Sequence, residues 1–214
     1  MSRIAAAILA GGRGERLGGV DKAQLKLGGR RLIDHALDAA GDAEPILVLR
    51  AAGARPLSLP ADITCLPDLA VSLGGPLAGL VAAVAHLMTV DSPPDYLLTL
   101  AVDTPFHPKS FAAIARERLD QGDLAAIAAY NGQAYPTNAL WRLAVLADLP
   151  RRAMGGQAPR SMMALAGELG AIHLDWPEEV GGNPFDNANT VFELMNLERR
   201  AIRNFGLGKA NQTR

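Results

Sequence analysis

From Leu9 to Lys22 the chain reads LAGGRGERLGGVDK, with five glycines, two arginines and one lysine between Gly11 and Lys22. Glycines let backbone N–H groups approach an anion closely and converge on its oxygens. Arg16 and Lys22 add the cationic charge that a triphosphate needs when it leaves water. Much later comes Asp103, in Leu100-Ala101-Val102-Asp103-Thr104-Pro105, directly after an apolar run. A carboxylate at a strand's carboxyl edge can share Mg²⁺ with an α-phosphate. Taken alone, Asp103 reads more readily as a helix N-cap or an Asx-turn before Pro105 than as a metal ligand. The glycine loop is what favours the metal.

Two other phosphate loops have different spacing. A Walker A loop places Gly-Lys-Ser/Thr together, whereas Lys22 lies between Asp21 and Ala23. A dinucleotide fingerprint needs a third glycine where Leu17 stands, and the ribose-binding acid would fall near Asp34, inside an apparent helix.

The elements that must position these residues alternate between strand and helix patterns. Ile4 to Ala10 reads as a buried strand, followed by a short extended piece from Gln24 to Leu27 and a turn at Gly28-Gly29. Leu32, Ile33, Ala36, Leu37 and Ala40 recur at helical spacing, with Gly41 as the stop. Further strands are expected at Ile46–Leu49, Ile63–Leu66, Tyr96–Val102, Leu124–Ala129 and Ala171–Leu174. Helices are expected at Leu77–Met88, Phe111–Leu119 and Met162–Leu169, and from near Thr190; beyond Pro150 lies a Gly- and Arg-rich connection. This order predicts an α/β three-layer sandwich with a mostly parallel central sheet, one domain over residues 1–205, and a frayed tail at 206–214. Ligands of such sheets sit at the carboxyl ends of strands, where the loop, Asp68 and Asp103 would meet.

The composition fits a globular protein: 49% of residues are apolar and 20% charged, with a net charge of −1. No excess of cations is available for nucleic acid in general. The single cysteine, Cys65, excludes an internal disulfide, and its setting between Ile63 and Leu66 predicts a buried side chain. No apolar run is long enough for a membrane span, so a cytoplasmic monomer is expected. His35, His86, His107 and His173 lack metal-ligand spacing.

The stretch Leu9-Ala10-Gly11-Gly12, followed by Arg16 and by Gly18-Gly19-Val20-Asp21-Lys22, resembles the nucleotide signature of the molybdenum cofactor guanylyltransferases. The resemblance implies a Rossmann-like nucleotidyltransferase fold and transfer of GMP from GTP to molybdenum-bearing molybdopterin, with release of pyrophosphate. It implies Mg²⁺ on Asp103, charge stabilisation by Arg16 and Lys22, and nucleotide binding by Leu9, Ala10, Gly11, Gly12, Lys22, Asp68, Gly75 and Asp103. Leu-Ala-Gly-Gly is usual in the guanylyl enzymes and Leu-Ala-Ala-Gly in several relatives, so Gly11 carries part of the assignment. Pro67-Asp68 with Gly74-Gly75-Pro76-Leu77-Ala78-Gly79 matches a second segment, in which the Asp contacts the nucleotide. For the pterin, the resemblance points to Gly19, Arg160, Asn187 and Asn189, and Thr190 reads alternatively as a helix cap. It also implies proteins that supply and accept the cofactor.

The chain departs from the family pattern in four places. Glu15 stands where a neutral or basic residue is usual and is expected to face solvent; Leu49-Arg50-Ala51-Ala52 lacks the Asn usual after the second strand, so that base or ribose contact is missing or differently supplied; Tyr135 replaces a His and is assigned to pocket shape; and Gly156 with Arg160 is similar to the family's Gly-x-x-Arg but not identical in spacing. The rival readings are a sugar-1-phosphate nucleotidyltransferase, a molybdopterin cytidylyltransferase, and a GTP-binding cofactor-delivery protein without turnover.

Overall fold

The structure, a computed structural model, describes residues 2–11, 20–69, 73–177 and 182–206. Its first strand, β1 (Ile4–Leu9), is built largely from alanine, a poor strand former in isolation. Tertiary pairing overrides that preference, because β1 lies between two parallel neighbours, β4 (Ile46–Arg50) and β6 (Tyr96–Ala101). Between β1 and β4 the chain forms a 3₁₀ turn (Lys22–Gln24), a small hairpin of β2 (Lys26–Leu27) and β3 (Arg30–Arg31), and α1 (Leu32–Ala40). Then follow β5 (Thr64–Pro67), α2 (Pro76–Leu87), β6, and α3 (Phe111–Asp120).

The second half contains β7 (Ala125–Tyr130), β8 (Gln133–Arg142), α4 (Leu143–Leu146), α5 (Leu149–Met154), α6 (Met162–Glu168), β9 (Ile172–Trp176) and α7 (Val191–Gly206). The main sheet runs β5-β4-β1-β6-β8-β7-β9. Only β8 is antiparallel to its neighbours. The reason is local: Asn131 and Gly132 both have positive φ, 49° and 77°, the two-residue turn that folds β7 straight back into β8.

Alternate residues of the buried strands serve opposite faces of the sheet. Ala5, Ala7, Leu9, Leu47, Leu49 and Leu97 pack with α2, α5 and α6 in one core. Ala6, Ile8, Val48, Leu98 and Leu100 pack with α1 and α3 in the other. A smaller cluster of Leu27, Leu32, Ala188, Leu197 and Ala201 seats α7 over the β2–β3 hairpin. The three-layer α/β architecture is thus as the alternating pattern predicts, and no helix among the described residues is long and apolar enough to cross a membrane.

Two expectations are corrected. Cys65 is exposed, because β5 is an edge strand whose successive side chains alternate between half-buried and exposed. The Arg-rich stretch after Pro150 is not a plain connection: Leu149 and Ala153 turn inward to make α5.

On the α3 side His107 is buried against Phe111 and Phe185, with ring centroids 5.1 and 5.6 Å away. Its Nε2 has no hydrogen-bond partner, and burial pulls its pKa from 6.5 down to about 3. Above pH 6.5 neither folded nor unfolded chain binds this proton. Below it the unfolded chain takes the proton up first, so stability falls as pH drops toward 3. Denaturant titrations between pH 7 and 4 are expected to lose up to about 1.4 kcal/mol per pH unit from this residue. A His107→Leu variant should show a correspondingly shallower acid slope. An unchanged slope would mean that His107 is protonated in the fold.

Candidate functional site

The sheet's strand order places its switch point at β1: the chain leaves β1 toward β4 and β5 on one side and returns as β6 on the other. A crevice opens at the carboxyl ends of these strands. It is a cleft of about 260 Å³ whose lining includes Leu9 at the end of β1 and Gly11 beyond it, Asp68 after β5, Asp103 after β6, and Lys22. Gly75, Pro76 and Gly79 close it from the start of α2; Gly75 has φ +66°, which opens that helix at a turn unfavourable for other residues. Thr137, Asn187 and Asn189 complete the far wall.

At the floor, Lys22 Nζ lies 2.6 Å from Asp103 Oδ2 and donates to Asn189 Oδ1 at 2.6 Å. Lys22 and Asp103 are each about 15% exposed, so the pair faces the cleft while most of each side chain is covered. The turn bearing Asp103 is fixed independently of its carboxylate. Asn138, fully buried, accepts from Ala101 N at 3.0 Å and from Thr104 Oγ1 at 3.1 Å, and Ala188 N donates to the Asp103 carbonyl at 3.1 Å. The last contact brings the segment of Asn187 and Asn189 to the floor. Asn189 is held from behind as well: Glu193 Oε2 accepts from the amides of Asn189 and Thr190, and Thr190 Oγ1 accepts from Glu193 N. Thr190 therefore caps α7, the alternative reading of its motif.

Asp68 occupies the opposite wall. Burial raises its pKa. Two glycines make room for it. A Cβ on Gly11 would lie 3.2 Å from Asp68 Cγ, 3.3 Å from Oδ1 and closer still to Oδ2; a Cβ on Gly79 would meet Leu9 Cδ2 at 3.0 Å and Asp68 Oδ1 at 3.2 Å. A carboxylate, two close-approach glycines and a helix start thus form one packed unit.

Of the residues read from the sequence, Leu9, Gly11, Lys22, Asp68, Gly75, Asp103, Asn187 and Asn189 come together in this cleft. Ala10 lines an adjoining groove, with Asp21, Gln24 and Arg50. Gly12, Arg16 and Gly19, and Glu15 with them, lie outside the described residues. Arg160 is exposed on the α5–α6 connection and is not part of the cleft lining. Its neighbours Arg151 and Arg152 pair with Asp148 and Glu168. Tyr135 is not part of the lining either. Its ring stacks near Phe185 at 5.5 Å, and its hydroxyl accepts from Asn183 Nδ2. Thr137 and Asn138 belong to the same segment as Tyr135, and of these it is Thr137 that lines the cleft while Asn138 braces the Asp103 turn. The available signal for that brace is an Asn inside a strand that otherwise runs Ala139-Leu140-Trp141 into the core.

Chemically, the site offers one carboxylate, one ammonium and amide oxygens on its floor. Among the described residues no group of three or more His, Cys, Asp or Glu side chains could hold a metal by itself. Asp103 nevertheless suits Mg²⁺, which takes one or two carboxylates and draws its other ligands from substrate phosphates and water.

Comparison with known proteins agrees with this geometry. Residues 6–171 match the model of a MobA-like NTP transferase domain. A molybdenum cofactor guanylyltransferase of Acidiphilium cryptum is 38% identical over 193 residues, covering 90% of this chain and 93% of its own. One from Rhodopseudomonas palustris is 33% identical over 199 residues, covering 92% of each. Among solved structures, molybdopterin-guanine dinucleotide biosynthesis protein A from Archaeoglobus fulgidus superposes with a TM-score of 0.70 at 21% identity, over 93% of this chain and 99% of that one. The 2-C-methyl-D-erythritol 4-phosphate cytidylyltransferase of Thermus thermophilus gives a TM-score of 0.64 at 21% identity, over 93% and 98%. At those identities the structural likenesses speak to the fold.

Proposed function

The chain belongs to the MobA-like NTP transferase family, and from that premise we propose that it is a molybdenum cofactor guanylyltransferase, moving GMP from GTP to molybdopterin that carries molybdenum. The observation that supports this reading most strongly is the Lys22–Asp103 contact at the floor of a cleft whose opposite wall carries Asp68. In the proposed reaction an oxygen of the acceptor phosphate attacks the α-phosphorus of GTP in line. A new P–O bond forms, the bond to the β-phosphate breaks, and pyrophosphate leaves. The acceptor phosphate is already ionised near neutral pH, so no general base is required.

The protein's part is positioning and charge. Lys22 stabilises the triphosphate and the departing pyrophosphate, with Arg16 and the amides from Gly11 onward assigned the same work. When Mg²⁺ is bound at Asp103, it neutralises charge on the α-phosphate. Asp68 accepts paired N–H donors from the edge of guanine, and Asn187 and Asn189 face the acceptor. Gly19 and Arg160 are kept as proposed pterin contacts, Arg160 only if its side chain reaches in from the α5–α6 connection. The reaction is placed in the cytoplasm, on a monomer exchanging its cofactor with supplying and accepting proteins.

Incubation with Mg²⁺ and molybdenum-loaded molybdopterin should release pyrophosphate with GTP and far less with CTP. Equal use of CTP would favour a cytidylyltransferase. Pyrophosphate from a sugar 1-phosphate instead would favour the sugar-nucleotide group, and GTP binding without release would favour a delivery protein. Lys22→Ala is expected to lower the rate roughly 10- to 100-fold, with a much smaller effect on thermal stability because the ammonium faces a cleft. Parallel losses in a rate assay and a melting curve would make Lys22 structural.

A further inference from the structure

Arg50 ends β4, in the stretch Leu49-Arg50-Ala51-Ala52 that lacks the Asn the resemblance leads one to expect. Its side chain is buried, with the residue 5% exposed, and it is not part of the lining of the cleft that holds Asp68. The guanidinium donates to Asp21 Oδ2 at 2.5 Å and to the carbonyl of Arg55, so one rigid fork ties the loop after β4 to the chain just before Lys22. Asp21 does further work. It accepts from Ala23 N at 3.1 Å and from Gln24 Nε2 at 3.3 Å, capping the 3₁₀ turn of which Lys22 is the first residue. From that turn Lys22 reaches across to Asp103 and Asn189.

A three-residue turn has too few internal hydrogen bonds to hold a direction by itself. Ala23, buried in the core beside α1, seats the middle of the turn, and the cap, held by a buried cation on a core strand, sets the direction in which its first residue, Lys22, points. We infer that Arg50 is a positioning residue: by anchoring Asp21 it fixes the turn that aims Lys22 at Asp103. It also keeps the Asp21 carboxylate occupied. Released, that carboxylate would sit beside Lys22 and compete with Asp103 for the ammonium. The assignment rests on the transferase reading above, and it gives Arg50 a task other than contact with the nucleotide.

The test is a mutant cycle with Arg50→Met, Asp21→Asn and the double variant. Arg50 is buried and Asp21 partly so; leaving the guanidinium uncompensated is destabilising, whereas removing both charges is closer to neutral, so the double variant supplies a folded protein. The inference expects kcat in the double variant to stay roughly 10- to 100-fold below wild type, no lower than in the worse single variant, with the KM for GTP nearly unchanged. Arg50→Lys should recover only part of the rate, because a lysine cannot bond Asp21 and the Arg55 carbonyl with one planar fork. Recovery of kcat together with stability in the double variant would overturn the inference, making the pair merely structural. So would a raised GTP KM in Arg50→Met with no effect of Asp21→Asn, which would make Arg50 a nucleotide ligand. Hydrogen exchange at the amides of Ala23, Gln24 and Leu25 reads the tether without any substrate. It should quicken in the double variant, and unchanged exchange overturns the tether. Wild-type protein that releases no pyrophosphate would sink the transferase reading instead, and exchange would still decide the tether.

Discussion

Asp103→Asn is expected to reduce pyrophosphate release by roughly a thousandfold, the upper range for losing one preorganised charge in a reaction centre, while the melting temperature stays within a few degrees of wild type. Asp103→Ala should be inactive at any Mg²⁺ concentration. The separation of activity from stability follows from how the turn is built. Its backbone is held by Asn138, which receives Ala101 N and Thr104 Oγ1, and by Ala188 N on the Asp103 carbonyl. None of these contacts uses the carboxylate.

What the carboxylate does touch is Lys22, at 2.6 Å on the cleft floor. In the asparagine variant the amide keeps its shape but loses the charge that suits a hard divalent ion. Raising Mg²⁺ should therefore recover little activity. A variant with activity within tenfold of wild type would take Asp103 out of the chemistry. A variant that fails to fold would show the carboxylate to be structural, against the hydrogen-bond pattern.

How much of this could be read from residue order depended on the kind of constraint. Strands buried on both faces, Ile4–Leu9 and Tyr96–Ala101, where the Thr99 hydroxyl is bonded inside the core to Trp141 Nε1 and the Ala139 carbonyl, announce themselves as runs without a charged residue. The edge strand β5 does not. Ile63 and Leu66 make Cys65 look internal, but with one neighbour only, the strand leaves every second side chain outside. The stretch around Arg151 looked like a loop because arginines dominate it. Two apolar residues, Leu149 and Ala153, suffice to seat it as a helix once α2 lies beneath.

The site shows the same division. Lys22, Asp103 and Asn189 are legible because each sits in a short motif, the glycine loop, the strand-Asp-Thr-Pro segment and Asn-Ala-Asn-Thr. Asn138 and Arg50 act through partners that only folding brings near, Ala101 for one and Asp21 for the other. Arg50 has no local pattern to mark it, and Asn138 has only its polarity in a strand that runs into the core. Arg50 in particular reads as a missing family contact, and only its burial against Asp21 shows what occupies that position instead.

The second large effect is expected at Gly11, where one methyl group should cost GTP selectivity. The new Cβ would overlap the Asp68 carboxylate, the movable end of a side chain that lines the cleft. Asp68 would have to rotate away from the wall it now occupies. That carboxylate is the group proposed to read the base. Burial raises its pKa, so it gains from donors that replace lost water. Guanine offers N1–H and N2–H side by side, a pair that one carboxylate can accept. The Watson–Crick edge of cytosine offers one donor, the N4 amine, beside acceptors at N3 and O2, so it cannot give a carboxylate two adjacent N–H groups.

Gly11→Ala should therefore lower kcat/KM for GTP by about a hundredfold, the scale of a misplaced contact near 1 Å, and change the rate with CTP much less. The ratio of the two is the informative quantity. A general loss of catalysis leaves it constant, whereas a displaced Asp68 shrinks it. In a cycle with Asp68→Ala, the Gly11→Ala change should have little further effect once the carboxylate is gone, because the two substitutions remove one interaction. Additive losses would mean that Gly11 is needed for the nucleotide backbone alone, and that the narrow fit between Gly11 and Asp68 has no part in choosing the base.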